Sequence, residues 1–463
     1  MLAMRAPTTA SFRDRPIPSW YDDAKLGIFV HWGIYSVPAW APKPGSVRGE
    51  NPGEAEVPRF AVNPYAEWYQ NTLGIEGSAT RRHHAETYGA DFPYRRFAEE
   101  FNREIAAWKP AEWAEFFASA GARYVVLTTK HHDGFLLWPS EHRNPKAPDF
   151  IASRDLVGEL SDAVRGRGLR MGFYYSGGID WLTHDQVIAV PKDFVRAVPP
   201  GEAYREYATR HWKELIDRHA PCCMWNDIAF PGPVEKIEEL FTYYYERVPD
   251  GVVNDRWRMA LGPKGLEPSL PHDVRTPEYR NVAEITEKKW ESVRGIGNSF
   301  GWNREEGPNE TLSAKQLVQS FVDIVSKNGN LLINVGPRAD GSIPEIQTER
   351  LRALGTWLDG AGEAIYGTRP WIRAEGRTTD GNPVRFTAKG DALHAIVFDA
   401  TPASEVVLEG LEGVALEGVE LLGSDAPLRW SHEGARLCVA LPTRLPTEHA
   451  VALRLRQPAA RLQ

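Results

Sequence analysis

The sequence predicts an irregular (β/α)8 barrel, an α/β fold, followed by a small antiparallel β-sandwich. Three observations carry this. Up to about residue 370, short apolar runs alternate with amphipathic stretches, the pattern of parallel strands joined by helices. His31, His131, His132, Tyr174, Asp227 and Arg256 follow or end such runs, as a crown of polar side chains at the C-terminal ends of barrel strands would. Beyond residue 370 the runs are short, often alternating, and separated by Gly, Pro and Asp, as in a sandwich. The expected division is residues 1–368 for the barrel and 369–463 for the sandwich.

The elements follow in order. Gly27 to Val30 reads as the first strand. Residues 33–109 hold no clear strand–helix unit, so the barrel should be irregular there. Residues 110–120 form a helix with Pro110 in its first turn and Gly121 as its stop. Tyr124 to Thr129, apolar and β-branched, is a buried strand. Leu156, Leu160 and Val164 repeat at helical spacing, and Leu169 to Tyr175 is the next strand. A helix over 203–219 precedes a strand at Cys222 to Trp225. A helix over 233–247 presents Ile237, Leu240, Phe241 and Tyr244 on one face and leads into a strand at Gly251 to Asn254. Val282 to Ile285 is a further candidate strand. Ser313 caps a helix to about Lys327, ended by Asn328 and Gly329. Leu331 to Val335 is the seventh candidate strand, and a helix spans roughly 344–364. The eighth strand is not readable. In the sandwich, strands are expected within VRFTAKGDALHAIVFDA, SEVVLEGL, GVELLG, ARLCVALP and AVALRLRQ.

Composition excludes several classes. The 463 residues, 42% hydrophobic and 25% charged, suit a globular chain with an ample core. A net charge of −8 without a basic stripe argues against nucleic acid as a partner. No run of about 18 apolar residues exists to span a membrane. The N-terminus carries no apolar leader core, so a cytoplasmic location is expected, although a processed secreted chain would read the same. Cys222, Cys223 and Cys438 make no disulfide framework and no CxxC pair, and are expected as free thiols. Sixteen Trp, sixteen Tyr and eighteen Phe are a large stock of flat faces for packing or for stacking on sugar rings.

Several stretches could carry chemistry. His31 and Trp32 end a strand in GIFVHWGIYSVPAW. In TTKHHDGFLLW, His131 and His132 would point to opposite faces if the strand continued, and would share a target only if the chain curled. Three histidines at strand ends also fit a metal site, but no HxH pair supports it. Trp225 and Asp227 lie in MWNDIAFPG, where a strand end would hold the carboxylate rigidly at the barrel mouth. Asp255 and Arg256 end the next strand in VVNDRWR, as a sugar-binding arginine or a structural ion pair. Glu278, in RTPEYRN, follows a Pro-rich excursion and by spacing alone reads as a loop glutamate. Glu67 with Trp68, and Asp180 with Trp181, offer a carboxylate for hydroxyls beside an indole for an apolar ring face. Separated carboxylates, histidines and tryptophans at one barrel mouth point to glycoside hydrolysis, which needs an acid and a nucleophile or base across the bond. The rival readings are a metal-dependent barrel hydrolase using His31, His131 and His132, and a non-catalytic carbohydrate-binding protein.

The stretches WYDDAKLGIFVHWGIYSVPAW, YVVLTTKHHDGF, GFYYSGGIDW, WNDIAFPG and KNGNLLINVGPRADGSIP resemble the α-L-fucosidases of glycoside hydrolase family 29, over roughly residues 18–368. The resemblance implies an irregular barrel with a C-terminal β-sandwich, exo-acting hydrolysis with retention by double displacement, no metal or organic cofactor, and fucosylated oligosaccharides or glycoconjugates as partners. A homo-oligomer is compatible with it. It makes Asp227 the nucleophile and lines the fucose pocket with His31, His131, His132, Tyr174 and Trp68, with Glu67 beside it. Trp225 would join the substrate-binding residues, and Arg256 would reach the pocket near the nucleophile. The acid/base varies in position within that family. In some members it is the glutamate of a T-x-E-Y stretch, here Glu278.

Overall fold

The computed structural model describes Phe12 and residues 15–44, 58–262 and 265–458, leaving out the side chains of residues 261, 262, 265 and 266. Most of the N-terminal stretch read for a leader lies outside the described residues.

The strands of the first part, in chain order, are β1 (Leu26–Val30), β2 (Tyr124–Lys130), β3 (Arg170–Ser176), β4 (Cys223–Asp227), β5 (Val252–Val253), β6 (Met259–Gly262), β7 (Gly265–Pro268), β8 (Trp290–Gly295) and β9 (Gly329–Val335). Seven form one parallel sheet in the order β5-β4-β3-β2-β1-β9-β8, while β6 and β7 make a separate antiparallel hairpin. The two edges of the sheet, β5 and β8, are joined through residues 274–278. Parallel bridges link Asn254 to Val274, Arg275 to Trp290, and Glu278 to Val293. This degenerate stave closes the barrel. Pro277 removes a backbone donor from it, which is why it makes isolated bridges instead of a ladder.

Burial sorts the strand residues with a period of two, as a closed sheet demands. Phe29, Tyr124, Val126, Tyr174, Trp225, Val252, Val293 and Leu332 fill the interior. Their neighbours Ile28, Val30, Val125, Leu127, Phe173, Leu331 and Ile333 face the helices. The helices are Pro110–Ser119, Leu156–Gly166, Glu202–His219, Val234–Arg247, Ala314–Ser326 and Glu345–Ala361. Ser313 caps the fifth of these in a reciprocal capping box with Gln316. Between β1 and β2 the described residues form short helices and 3₁₀ turns and no strand.

One expected strand is wrong. Val282 to Ile285 lies outside every strand, and Glu284 and Ile285 are exposed. The strand of this region is β8, eight residues on. Its Glu291 and Arg294 disguise it, because a charged residue inside a strand pattern reads as loop. Here Glu291 is buried in the barrel and satisfied by three donors.

The C-terminal part comprises β10 (Arg369–Arg377), β11 (Pro383–Lys389), β12 (Ala392–Phe398), β13 (Glu405–Leu408), β14 (Gly418–Leu421), β15 (Arg429–Glu433), β16 (Arg436–Ala440) and β17 (Ala450–Arg456). A five-stranded antiparallel sheet, β10-β11-β12-β17-β14, faces a three-stranded one, β13-β16-β15. Val384, Phe386, Leu393, Leu437, Val439 and Leu453 pack between them. The edge strands β10 and β15 escaped the sequence reading because they are rich in charge and largely exposed, as edges usually are. The outer face of the larger sheet is also covered. Ile396, Phe398, Ala450 and Ala452 join the core of the barrel. Trp357 Nε1 donates to the Ala450 carbonyl at 2.9 Å, and Arg385 Nε donates to Asp323 at 2.6 Å. The sandwich therefore buttresses the helices Ala314–Ser326 and Glu345–Ala361. The three cysteines are free thiols.

Candidate active site

A cavity of about 660 Å³, counted with its open mouth, lies at the C-terminal ends of the barrel strands. His31, Glu67, Trp68, His131, His132, Tyr174, Trp225, Asp227, Arg256 and Glu278 all line it. The ten residues that the family resemblance assigns to the site are thus brought to one pocket.

Asp227 is the last residue of β4 and is 8% exposed. Tyr174 Oη donates to its Oδ2 at 2.9 Å, and Arg256 Nη1 donates to its Oδ1 at 3.1 Å. Burial pushes the Asp227 carboxyl up, and the Glu278 charge adds to this. Arg256 and the Tyr174 hydroxyl oppose it. Arg256 Nη1 also donates to Glu278 Oε2 at 3.1 Å, so one nitrogen holds both carboxylates. Glu278 Oε1 accepts from the Tyr65 hydroxyl at 3.0 Å. The guanidinium is fixed from behind. Its Nε and Nη2 donate to the Thr276 side chain and carbonyl, and it lies 4.6 Å over the Trp225 ring. Trp225 Nε1 in turn donates to Glu291 Oε2 at 3.2 Å, and Glu291 Oε1 accepts from Tyr21 at 2.7 Å and Tyr124 at 2.5 Å. The indole also stacks on Tyr174 at 5.6 Å. Glu291 therefore anchors the plate against which both donors of Asp227 are set.

Burial keeps the three histidines neutral, and the tautomers of His31 and His132 follow from the network. Asn334 Nδ2 donates to the Phe300 carbonyl, so Asn334 Oδ1 accepts from His31 Nδ1 at 2.7 Å. Ser176 Oγ donates to the Ile179 carbonyl and accepts from His132 Nδ1 at 2.6 Å. Both rings are left with Nε2 as an acceptor, and that of His132 lies 4.0 Å from Asp227 Oδ2. Burial lowers His31 to about 3 and places His131 and His132 well below the usual imidazole range. The chain does curl after β2. Gly134, at φ 81°, donates its N–H to the His131 carbonyl, and the rings of His131 and His132 lie 4.0 Å apart on the same pocket. Among the described residues, no group of three or more His, Cys, Asp or Glu is arranged to hold a metal ion.

Two acidic residues weighed with these serve the scaffold. Asp180 is fully buried and pairs with Lys130 Nζ at 2.9 Å, away from the pocket. Asp255 accepts from Thr276 N and Oγ1 at 3.1 and 2.6 Å, so it braces the stave while its neighbour Arg256 enters the site. Glu278 is no free loop residue, since it bridges to β8. Sequence reasoning missed Phe29, Tyr65, Phe300 and the orienting residues Ser176, Asn334 and Glu291. Phe29 was findable, because it lies on the inner face of β1 two residues before His31. Phe300, in an irregular segment, carries no local signal.

A family model described as Alpha-L-fucosidase matches residues 3–363. The chain belongs to the α-L-fucosidase family. It is 33% identical over 474 residues to an α-L-fucosidase of Branchiostoma floridae, covering 97% of this chain and 95% of that one. It is 32% identical over 471 residues to the tissue α-L-fucosidase of Homo sapiens, covering 97% and 91%. Among solved structures, the Thermotoga maritima α-fucosidase in complex with fucose shares 42% identity at a TM-score of 0.85, covering 98% of this chain and all of that one.

Glu67 generates a prediction for this fucosidase-family site. Its Oε2 accepts from the Gly301 N–H at 2.7 Å and from Ser299 Oγ at 3.1 Å, yet burial pushes its carboxyl up from 4.5 to about 8. The folded state then keeps a proton that the unfolded chain has released, so stability falls as pH rises from 4.5 to about 8. Glu67→Gln retains an oxygen for both donors and removes the titration. Thermal midpoints between pH 5 and 9 should fall more steeply for the unaltered protein than for the variant. A gap independent of pH would contradict the assignment.

Proposed function

We propose that this chain is an exo-acting retaining α-L-fucosidase in which Asp227 is the nucleophile and Glu278 the acid/base. The observation that carries the proposal is the shared nitrogen of Arg256. Two oxygens that each lie 3.1 Å from one atom are at most twice that distance, 6.2 Å, apart. That bound on the facing oxygens accommodates the separation of about 5–5.5 Å between the carboxyl groups of retaining glycosidases.

The residues divide the reaction as follows. The Nε2 acceptors of His31 and His132, together with Glu67, take hydroxyls of the fucosyl ring, while Phe29, Trp225 and Phe300 wall its apolar parts. Asp227 attacks the anomeric carbon as Glu278 passes its proton to the glycosidic oxygen. The C–O bond to the leaving group breaks and a fucosyl ester forms on Asp227. Forming the ester removes the Asp227 charge and leaves Arg256 to Glu278 alone. As a carboxylate, Glu278 then takes a proton from water, whose oxygen attacks the same carbon and releases Asp227. Tyr174 keeps its proton, because burial and the Asp227 charge hold its hydroxyl well above 10. It remains a donor to Asp227 throughout. The family places fucosylated glycans among the substrates, and a pocket that pairs particular buried hydroxyls rejects sugars lacking them.

Two variants test the roles. Asp227→Gly should keep the fold and lose several orders of magnitude in turnover of an aryl fucoside, with added azide yielding the β-fucosyl azide. Near-normal turnover would move the nucleophile elsewhere. Glu278→Ala should slow a fucosyl disaccharide by about 10²–10⁴-fold but spare the first step on an aryl fucoside whose phenol leaves unaided. Azide should then yield the opposite anomer, the α-fucosyl azide. Equal losses on both substrates with no response to azide would return Glu278 to a structural role.

A further inference from the structure

The pocket changes character on the way out. Its depth is polar and closed, with His31, His131, His132, Tyr174 and Trp225 all buried. At the mouth, Phe60, Phe194 and Ile228 are half-buried pocket residues that offer no polar side-chain atom. Phe60 lies parallel to the Trp68 indole at 5.7 Å, and Phe194 meets both rings edge-on at 5.6 and 5.9 Å. These rings, with Ile228, rest on a closed apolar cluster that includes Ile179, Trp181 and Ile188. Tyr65, which holds Glu278, packs on the same cluster, and Ile228 directly follows Asp227. The rim therefore stands beside both carboxylates, where a leaving group must pass.

We propose that Phe60 and Phe194 form the subsite for the leaving group, and that this subsite takes a ring stacked face-on, a pyranose by its C–H face or an aryl group by its π face. The inference rests on the fucosidase reading of Asp227 and Glu278. A pyranose presents C–H groups on one face and hydroxyls at its edge. Stacking covers the half-exposed rings without stranding a hydroxyl, and aromatic faces carry such contacts at low entropic cost. An acyclic or compact leaving group gains nothing from the rim.

The test compares two substrates in one active site. An α-L-fucosyl galactoside places a pyranose on the rim, whereas α-L-fucosyl fluoride places no ring there and needs no acid. Phe194→Ala and Phe60→Ala should each lose at least tenfold more kcat/KM on the disaccharide than on the fluoride. Phe194→Leu keeps the bulk without the flat face and should show the same selectivity to a smaller degree, which covers an alanine variant that fails to fold. Equal losses on both substrates, or none on either, would overturn the subsite. If the unaltered enzyme hydrolysed neither substrate, the fucosidase reading would fail and the subsite with it. Turnover of the fluoride by the unaltered enzyme separates the two failures.

Discussion

One guanidinium nitrogen shared by two carboxylates is the constraint around which this molecule is arranged. Asp227 and Glu278 come from different staves of the barrel, and two carboxyl groups this close repel, when both are ionised, unless a cation lies between them. Arg256 supplies it, and the surrounding structure holds Arg256 still. Thr276 takes two of its donors, Asp255 braces Thr276, and Trp225 supports the guanidinium plane. Glu291 extends the support one layer deeper, and burial raises its carboxyl above the solvent value. Asp227, Arg256, Trp225 and Glu291 thus make one connected stack of polar groups inside an otherwise apolar barrel interior. Such a stack is worth its desolvation only if every member is paired.

The backbone bears the cost of aiming the carboxylates. Ile228 and Ala229 after Asp227, and Tyr279 after Glu278, all adopt positive φ, which non-glycine residues rarely do and a β-branched residue least of all. The Asp227 turn is held by Asn226, whose Nδ2 donates to the carbonyls of Ala229 and Arg256 at 2.7 and 3.1 Å. Gly178 lets the turn come close, since a Cβ there would lie 1.5 Å from the Ile228 carbonyl oxygen. The GG of FYYSGGIDW is therefore a packing requirement of the neighbouring strand end.

Much of this was legible in the sequence, part of it from the residues and part from the family resemblance. The polar residues at strand ends gave away the barrel mouth, and ten site residues named from the sequence all line one pocket. Regular strands buried on both sides read as continuous apolar runs and were found. What was hidden is what departs from local rules. β8 carries a buried glutamate, and the eighth stave is interrupted by proline and pairs through single bridges. The edge strands of the sandwich are polar, and the orienting partners Ser176 and Asn334 matter only through tertiary contacts. Asp180 misled for the opposite reason. A carboxylate beside a tryptophan suits sugar, but here it neutralises the buried Lys130.

The central claim is that the two carboxylates are close enough for one to attack the sugar directly. The most direct measurement is proton NMR of the first-formed product from an α-L-fucoside, recorded before mutarotation. Attack by Asp227 followed by attack of water inverts the anomeric centre twice, so the account predicts α-L-fucose as the initial product. Initial release of β-L-fucose would mean a single displacement by water across a wider gap, and would contradict it.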